Sequence, residues 1–263
     1  SFFLDITKKN ILEKVISKIK PNIIIHTAAI TDLDWSEKNI DLTYETNVEG
    51  TKNIKELAEK FNIKLVFIST DSVFDGIKGN YNENEERNPV NVYSKSKVLA
   101  ENTIQDYDKS LIVRGTFFGL KNGQKESFFS YLLNELMKKK KIRIPKDKIS
   151  NGIFVKDFSN IIAKMCKKDL AGIYHVGSKD FKNNVEFAKQ LAEICNFNKE
   201  LIEECSFDEI FEEKQLIAKR PLNTTLNIEK ISKQIKMPTV KEVITSFSEN
   251  YKTTARNEVE ALE

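Results

Sequence analysis

Apolar residues fall into short unbroken runs in the first half of the chain, and these runs alternate with longer amphipathic segments. Three consecutive isoleucines at positions 23–25 lead into small residues, and residues 64–70 form a second apolar run. Neither run alternates between polar and apolar positions, so each predicts a strand that is buried on both faces, as in a parallel sheet. The predicted strands cover residues 21–29, 64–70, 110–114 and 172–176.

The segments around these strands carry apolar residues three and four positions apart, the spacing that brings side chains onto one face of a helix. Residues 7–20 show this spacing clearly, with Leu12, Val15 and Ile19 on one face. The string Arg-Pro-Leu-Asn-Thr-Thr-Leu at 220–226 predicts a loop between helices. The predicted helices cover residues 7–20, 39–61, 93–106, 128–141, 157–168, 185–196 and 240–251.

Strand, helix and strand in succession predict right-handed βαβ units. The expected fold class is therefore α/β, with a Rossmann-like, doubly wound parallel sheet. The regular alternation fades after Arg114. We expect a first region formed by residues 1–115 and about 152–177, and a smaller, mostly helical second region formed by residues from about 116 to 151 and from 178 to 263.

The first glycine of the sequence is Gly50. A dinucleotide-binding α/β domain normally opens with a strand, a glycine-rich turn and a helix, because glycine lets the backbone approach the pyrophosphate. Residues 1–5 instead resemble the end of a later strand. Two interpretations stay open. Either the sheet is N-terminally truncated, with its first βαβ unit outside this sequence, or the chain does not bind a dinucleotide.

The amino-acid composition limits which kinds of binding partner are expected. The chain has 42 basic and 39 acidic side chains, a balance without the basic surplus that nucleic-acid binding requires. Its three cysteines form no Cys-x-x-Cys pair, which favours a reducing compartment over disulfides or a zinc site. No segment approaches the ~20 apolar residues of a membrane span, and no signal peptide opens the chain. We expect a cytoplasmic protein with no metal, no nucleic-acid partner and no membrane partner.

Candidate chemistry lies in the sequence Tyr-Ser-Lys-Ser-Lys at 93–97. Tyr93 and Lys97 are four residues apart, so a helix would place the phenol and the ammonium on one face. A neighbouring cation favours the charged form of a tyrosine and would lower its pKa, which suits proton exchange with a carbonyl or hydroxyl. Thr70 follows a buried strand, at the sheet edge where open α/β sheets bind ligands, and would hydrogen-bond the same oxygen as Tyr93.

Two longer strings carry a family resemblance. Ser-Thr-Asp-Ser-Val-Phe-Asp-Gly at 69–76 and Asn-Pro-Val-Asn-Val-Tyr-Ser-Lys-Ser-Lys at 88–97 resemble the extended short-chain dehydrogenases, and within them the dTDP-4-dehydrorhamnose reductase family. The likeness covers nearly all 263 residues. Further similar segments lie at 4–7, 21–37, 114–119, 172–176 and 220–226.

The resemblance implies a site for reducing a nucleotide-linked 4-keto sugar, in the pathway to dTDP-rhamnose. Tyr93 would be the general acid that protonates the C4 oxygen as hydride arrives from NADPH or NADH. Lys97 would lower the Tyr93 pKa and bond the nicotinamide ribose. Thr70 would orient the keto oxygen, with Asp71 close to the sugar. Phe117 stands where the family often has a substrate-facing tryptophan.

The resemblance also implies that the first region binds NAD(P) and that the second region binds the substrate. The cofactor would be NADP or NAD, and the sequence leaves the preference between them open. Without a glycine-rich turn, we expect the 263-residue chain to bind NAD(P)H poorly by itself. The cofactor-binding residues that the resemblance implies are Asp5, Ile6, Ala28, Ala29, Ile30, Thr31, Ile68, Tyr93 and Lys97.

Several departures from the family pattern keep alternatives open. Residues 145–155, which include Lys146 and Lys148, differ from the family's Gln-x-Gly-x-Pro-Thr pattern in a region that helps to set substrate choice. His26 replaces an asparagine, and we interpret it as a hydrogen-bonded core group. A sugar-nucleotide epimerase or dehydratase, or a non-catalytic regulatory or binding subunit of the same fold, remains an alternative to the reductase. A homodimer is left open as the oligomeric state.

Overall fold

The computed structural model describes residues 3–119 and 128–260. Its central sheet consists of four parallel strands in the order β1, β2, β3, β8. The register pairs Ile25 with Val66 and Phe67 with Ile112. The strands are β1 Ile23–His26, β2 Lys64–Ile68, β3 Ser110–Arg114, β4 Phe117–Phe118, β5 Ile142–Pro145, β6 Ile149–Ser150, β7 Ile153–Phe154, β8 Gly172–His175, β9 Lys182–Asn183 and β10 Ile202–Cys205.

Helices cover both faces of this sheet. Within the described ranges, none of them is long and apolar enough to cross a membrane. The helices are α1 Lys9–Ile19, α2 Leu33–Lys38, α3 Ile40–Tyr44, α4 Gly50–Lys60, α5 Val92–Ile104, α6 Phe128–Met137, α7 Val155–Lys167, α8 Asn184–Ile194, α9 Phe207–Glu213, α10 Glu229–Ser232 and α11 Val240–Glu260.

Successive residues of β2 point to opposite faces of the sheet, as the period of a strand requires. Leu65 and Phe67 pack into an apolar cluster with α1, α4 and α5. Val66 and Ile68 pack into a larger cluster with α6, α7, α8 and α11. Because one apolar cluster covers each face of the sheet, every residue of β2 and β3 is buried. The predicted doubly wound parallel sheet is confirmed.

The long helix predicted over 39–61 is interrupted. The chain runs from α3 into a π-helical turn at Glu45–Glu49 and then into α4. A π-turn accommodates one residue more than an α-helical turn and is common at functional sites. The apolar spacing did not indicate it, and the apolar residues of α3, Ile40 and Leu42, are exposed, whereas Ile54 and Leu57 of α4 are buried.

The second region contains more strand than the hydrophobic pattern predicted. Six short strands between Phe117 and Cys205 form three two-stranded sheets: β4 with β7, β5 with β10, and β6 with β9. Each is two to four residues long, which is too short for a period to be visible. Residues 220–226 form a loop as predicted, joined to β6 by the Ile149–Asn223 bridge.

Candidate active site

The end of β2 and the start of α5 bring Thr70 and Tyr93 together. Asn91 caps α5 by accepting the Ser94 N–H at 2.8 Å, which places Tyr93 in the first turn. Thr70 caps the short 3₁₀ turn Asp71–Val73 in the same way, accepting the Ser72 N–H at 3.1 Å. The Thr70 hydroxyl lies beside the Tyr93 phenol, close enough to affect its pKa. Two helix caps thus fix two hydroxyls at the carboxyl edge of the sheet.

Burial and, to a smaller extent, the nearby Asp71 carboxylate raise the pKa of Tyr93 to about 12, although the neighbouring Thr70 hydroxyl opposes both effects. The spacing of Tyr93 and Lys97 predicted a lowered pKa, whereas the pKa of Tyr93 is raised overall. The physical reason is that burial penalises the charged phenolate more strongly than the neighbouring Thr70 hydroxyl stabilises it. At neutral pH the phenol stays protonated, which is the form that a general acid needs.

Lys97 is buried one helical turn beyond Tyr93. Its ammonium donates to the carbonyl of Ile68 at 2.7 Å and lies 3.9 Å from the centroid of the Phe67 ring. Burial lowers the pKa of Lys97 to about 7, and the charge of Glu101 acts in the opposite direction. Lys97 therefore holds the last residue of β2, Ile68, two residues before Thr70.

Glu101 lies one further turn along the same face of α5 and is fully buried. Its carboxylate accepts from Ser69 Oγ at 2.5 Å, from Arg114 Nη2 at 2.8 Å and from Arg87 Nη1 at 2.9 Å. Burial opposes ionisation, but Arg114, Ser69 and Arg87 together lower the pKa of Glu101. This network ties the ends of β2 and β3 to the helix that carries Tyr93. We did not predict it, although the four-residue spacing from Lys97 was visible in the sequence.

Residues 27–31 follow β1 without regular structure. Ala28 and Thr31 are exposed, and Ala29 and Ile30 are half-buried. The Asn47 side chain accepts the Ile30 N–H at 2.8 Å and donates to the Ile30 carbonyl at 3.0 Å. It also donates to the Ser96 hydroxyl on α5 at 2.9 Å. Asn47, which no sequence pattern indicated, therefore holds this loop against the helix of Tyr93.

The two other sequence-predicted positions lie near the N-terminus, and of these Ile6 contacts α4. The Asp5 carboxylate accepts from the Thr7 N–H at 2.9 Å and from the Thr7 hydroxyl at 2.7 Å, and these bonds lower the pKa of Asp5. Ile6 is buried against Gly50, where an added Cβ would lie 2.6 Å from the Ile6 side chain. Only glycine fits at position 50 without displacing Ile6.

Phe117 lies on β4 and stacks on the Phe158 ring, with 4.8 Å between the two centroids. Its side chain is 43% exposed, so part of the ring is open to solvent. Asp71, by contrast, is buried and accepts from the Thr70 hydroxyl at 3.1 Å. The Thr70 hydroxyl therefore interacts with both Asp71 and Tyr93, whereas the Phe117 ring packs against Phe158 of the larger apolar cluster.

Loop 216–226 is fastened to α2 through Asp34. The Asp34 carboxylate accepts from Arg220 Nη2 at 2.7 Å and from the N–H groups of Ile217 and Ala218, each at 2.8 Å. Burial opposes ionisation here, but these bonds hold the pKa of Asp34 at about 2. The Arg-Pro loop of the second region is thus anchored beside the loop that follows β1.

Comparison with known proteins gives consistent matches over most of the chain. The family model described as "RmlD substrate binding domain" matches residues 3–253. A dTDP-4-dehydrorhamnose reductase of Aggregatibacter actinomycetemcomitans is 29% identical over 237 residues, which are 87% of this chain and 80% of that protein.

Two further similarities are informative. The crystal structure of a dTDP-4-dehydrorhamnose reductase from Bacillus anthracis in complex with NADP is 31% identical, with a TM-score of 0.84, and the match covers 93% of this chain and 86% of that one. Methionine adenosyltransferase 2 subunit beta of Xenopus laevis is 24% identical over 238 residues, which are 88% of this chain and 70% of that protein.

Proposed function

The chain belongs to the RmlD substrate binding domain family, and from that premise we propose that it reduces the 4-keto group of a nucleotide-linked deoxysugar at the expense of NADPH or NADH. The favoured substrate is dTDP-4-dehydrorhamnose, which would give dTDP-rhamnose. The observation that carries the proposal is the placement of the Thr70 hydroxyl beside the Tyr93 phenol at the carboxyl edge of the sheet, with Tyr93 held protonated by burial.

Reduction of a ketone needs a hydride on the carbon and a proton on the oxygen. Tyr93 would give its phenolic proton to the C4 oxygen, while the Thr70 hydroxyl orients that oxygen. The positive charge of Lys97, one turn away on α5, favours the tyrosinate that is left behind. Asp71 and Phe117 would contact the sugar and its nucleotide. In this proposal, residues 1–115 and about 152–177 bind the cofactor, and the remaining residues bind the substrate.

The residues present fit a nicotinamide cofactor along the carboxyl edge of the sheet. The short side chains of Thr27, Ala28 and Ala29 let a flat ligand approach the backbone, and Asn47 keeps that loop in place. The bound cofactor would supply the hydride. We assign to its site Asp5 and Ile6 beside α4, the loop residues Ala28, Ala29, Ile30 and Thr31, and Ile68, Tyr93 and Lys97 beneath the nicotinamide.

The test is oxidation of NADPH and of NADH by the full-length gene product in the presence of dTDP-4-dehydrorhamnose. We expect stoichiometric oxidation that stops when the sugar is consumed. Turnover with a different 4-keto sugar nucleotide alone would keep the reductase and replace the sugar. An epimerase or dehydratase would convert its substrate without net consumption of the nicotinamide, so the stoichiometry separates these activities from reduction.

A second candidate, a non-catalytic subunit, is favoured by the similarity to methionine adenosyltransferase 2 subunit beta. Against it stands the conjunction of Thr70, Tyr93 and Lys97 at one edge of the sheet. If the full-length protein oxidises no nicotinamide with any of a panel of 4-keto sugar nucleotides, the subunit is the better interpretation.

A further inference from the structure

Lys148 lies in the second region, in the turn between β5 and β6, and neighbouring segments hold it in place. Its backbone carbonyl accepts from the Asn184 N–H at 2.9 Å, and the next residue, Ile149, donates its N–H to Leu222 at 2.8 Å. The Lys148 ammonium donates to the carbonyl of Pro221. Both backbone and side chain are therefore held by neighbouring segments, which is unusual for a lysine in a connecting turn.

Pro221 brings this lysine to the active-site edge of the sheet. The Pro221 ring packs directly on Gly76, where an added Cβ would lie 2.5 Å from it, and Asn223 donates its N–H to the Gly76 carbonyl at 2.9 Å. Gly76 ends the segment that begins with Asp71. The ammonium of Lys148 accordingly interacts electrostatically with the carboxylate of Asp71.

This cation has hydrogen-bonding capacity that the protein does not use. An ammonium has three N–H donors, and in the described ranges Lys148 spends one of them, on Pro221. Burial lowers the pKa of Lys148 to about 8; Asp71 and Asp147 favour the charged form, and Arg220 opposes it. Arg220 itself is neutralised by Asp34, its partner at 2.7 Å. Lys148 is thus a half-buried cation with donors left for a ligand.

Asp71 restricts what that ligand can be. An anion placed against the Asp71 carboxylate alone would be repelled, so an anionic group near this edge requires a cation on the opposite side. Under the proposed function the substrate carries such a group, the diphosphate between sugar and nucleoside. Lys148 faces Asp71 from the second region, which is where the nucleotide would extend away from Tyr93.

We propose that Lys148 is a specificity-determining residue that binds the diphosphate of the nucleotide sugar through its ammonium. The inference rests on the proposed function. It predicts that this chain distinguishes a nucleoside diphosphate from the bare nucleoside largely through one side chain, because a charge-assisted hydrogen bond is stronger than a neutral one.

The experiment measures binding of dTDP and of thymidine by calorimetry, using the full-length protein and its variants Lys148→Gln, Lys148→Met and Lys146→Gln. Lys146 is the matched control, since it is exposed and lies two residues away. We expect both Lys148 variants to bind dTDP about 10-fold more weakly, or about 1.4 kcal/mol, and to bind thymidine as the wild type does. Lys146→Gln should bind both ligands normally.

Three results would overturn the proposal. An equal loss for dTDP and thymidine would mean that Lys148 only supports the Pro221 loop. Unchanged dTDP binding in both Lys148 variants would mean that it does not contact the diphosphate, even if binding of the complete dTDP-sugar were weakened. A wild type that does not bind dTDP would exclude a diphosphate site. NADPH oxidation by the wild type, measured alongside, reports separately on the proposed function.

Discussion

Asn47 holds the backbone of Ile30 from both sides, accepting its N–H at 2.8 Å and donating to its carbonyl at 3.0 Å. A side-chain amide can replace a neighbouring strand in this way, because it presents one acceptor and one donor with the spacing of a peptide group. The loop after β1 therefore keeps a defined shape without belonging to a sheet. A third hydrogen bond from the Asn47 side chain, to the Ser96 hydroxyl, joins the loop to α5.

Replacing Asn47 with Ala should release the loop. The Ile30 N–H and carbonyl lose their partner, and a half-buried polar group left without one costs about 1–3 kcal/mol. We expect urea denaturation to show a loss of roughly 2–4 kcal/mol, and the KM for NADPH to rise more than kcat falls. Asn47→Asp keeps the acceptor for the N–H but removes the donor, so it should lie between Ala and wild type. An unchanged KM in Asn47→Ala would show that the loop does not need this clamp.

Replacing Tyr93 with Phe should remove the transferable proton while keeping the ring. General acid catalysis typically contributes about 10²–10⁴-fold, so we expect kcat to fall by that factor with the melting temperature nearly unchanged. Tyr131→Phe, which changes a partly exposed phenol elsewhere, is the control and should keep full activity. Normal steady-state rates in Tyr93→Phe would exclude Tyr93 as the acid.

The two histidines should make the protein sensitive to mild acid. Burial, together with the charges of Lys97 and Arg114 respectively, lowers the pKa of His26 and of His175 from 6.5 to about 3. Between these values each histidine is protonated in the unfolded chain but not in the native one, so native stability falls as the pH falls through this window. From pH 6.5 to about pH 5 the expected loss is about 1.5 kcal/mol for each histidine.

Urea denaturation at several pH values in this range checks the expectation. His26→Asn removes one titrating group and offers another polar side chain to Thr51, which bonds the His26 ring at 2.9 Å. The pH dependence of the variant should be about half that of the wild type. An identical slope would mean that His26 is protonated in the native state or that it does not contribute.

The Glu101–Arg114 pair should show strong non-additivity. Glu101→Gln leaves the guanidinium of Arg114 buried and uncompensated, at a cost of roughly 3–5 kcal/mol. Arg114→Met alone should also be costly, because the buried carboxylate then keeps only Arg87 and Ser69 as partners. In the double variant both charges are gone, so its loss in urea denaturation should be smaller than the sum of the single losses by at least about 1 kcal/mol. Additive losses would show that the two groups act independently.

The parts of the fold that sequence predicted are those whose signal is local and apolar. The strand at Ser110–Arg114 was predicted to the residue because all five of its positions are buried, so nothing masks the run. The short strands of the second region are too brief to show any period, and their formation depends on distant partners such as the pairing of Ile142 with Ile202. Only the folded chain brings those partners together.

The same distinction, between local signals and contacts of distant residues, applies to the polar residues of the site. Tyr93, Lys97 and Thr70 could be found from spacing and resemblance, because Thr70 ends a predicted strand and the other two lie four residues apart in a predicted helix. Asn47 could not, since an asparagine in a helical segment is ordinary and its partner Ile30 is 17 residues away. The direction of the Tyr93 pKa was missed for a related reason. Spacing indicates which charges are near, whereas desolvation depends on the packing of the whole site.

The π-helical turn at Glu45–Glu49 places an unusual constraint on how this sequence can change over evolution. Removing one residue there would restore ordinary α-helical bonding, which locally is the better geometry. It would also rotate everything on one side of the turn by about 100° and carry Asn47 away from Ile30. Glu45 and Glu49 are exposed and free to vary in identity. Descendants of this chain should therefore tolerate substitutions of Glu45 and Glu49 but keep Asn47 and the length of the turn.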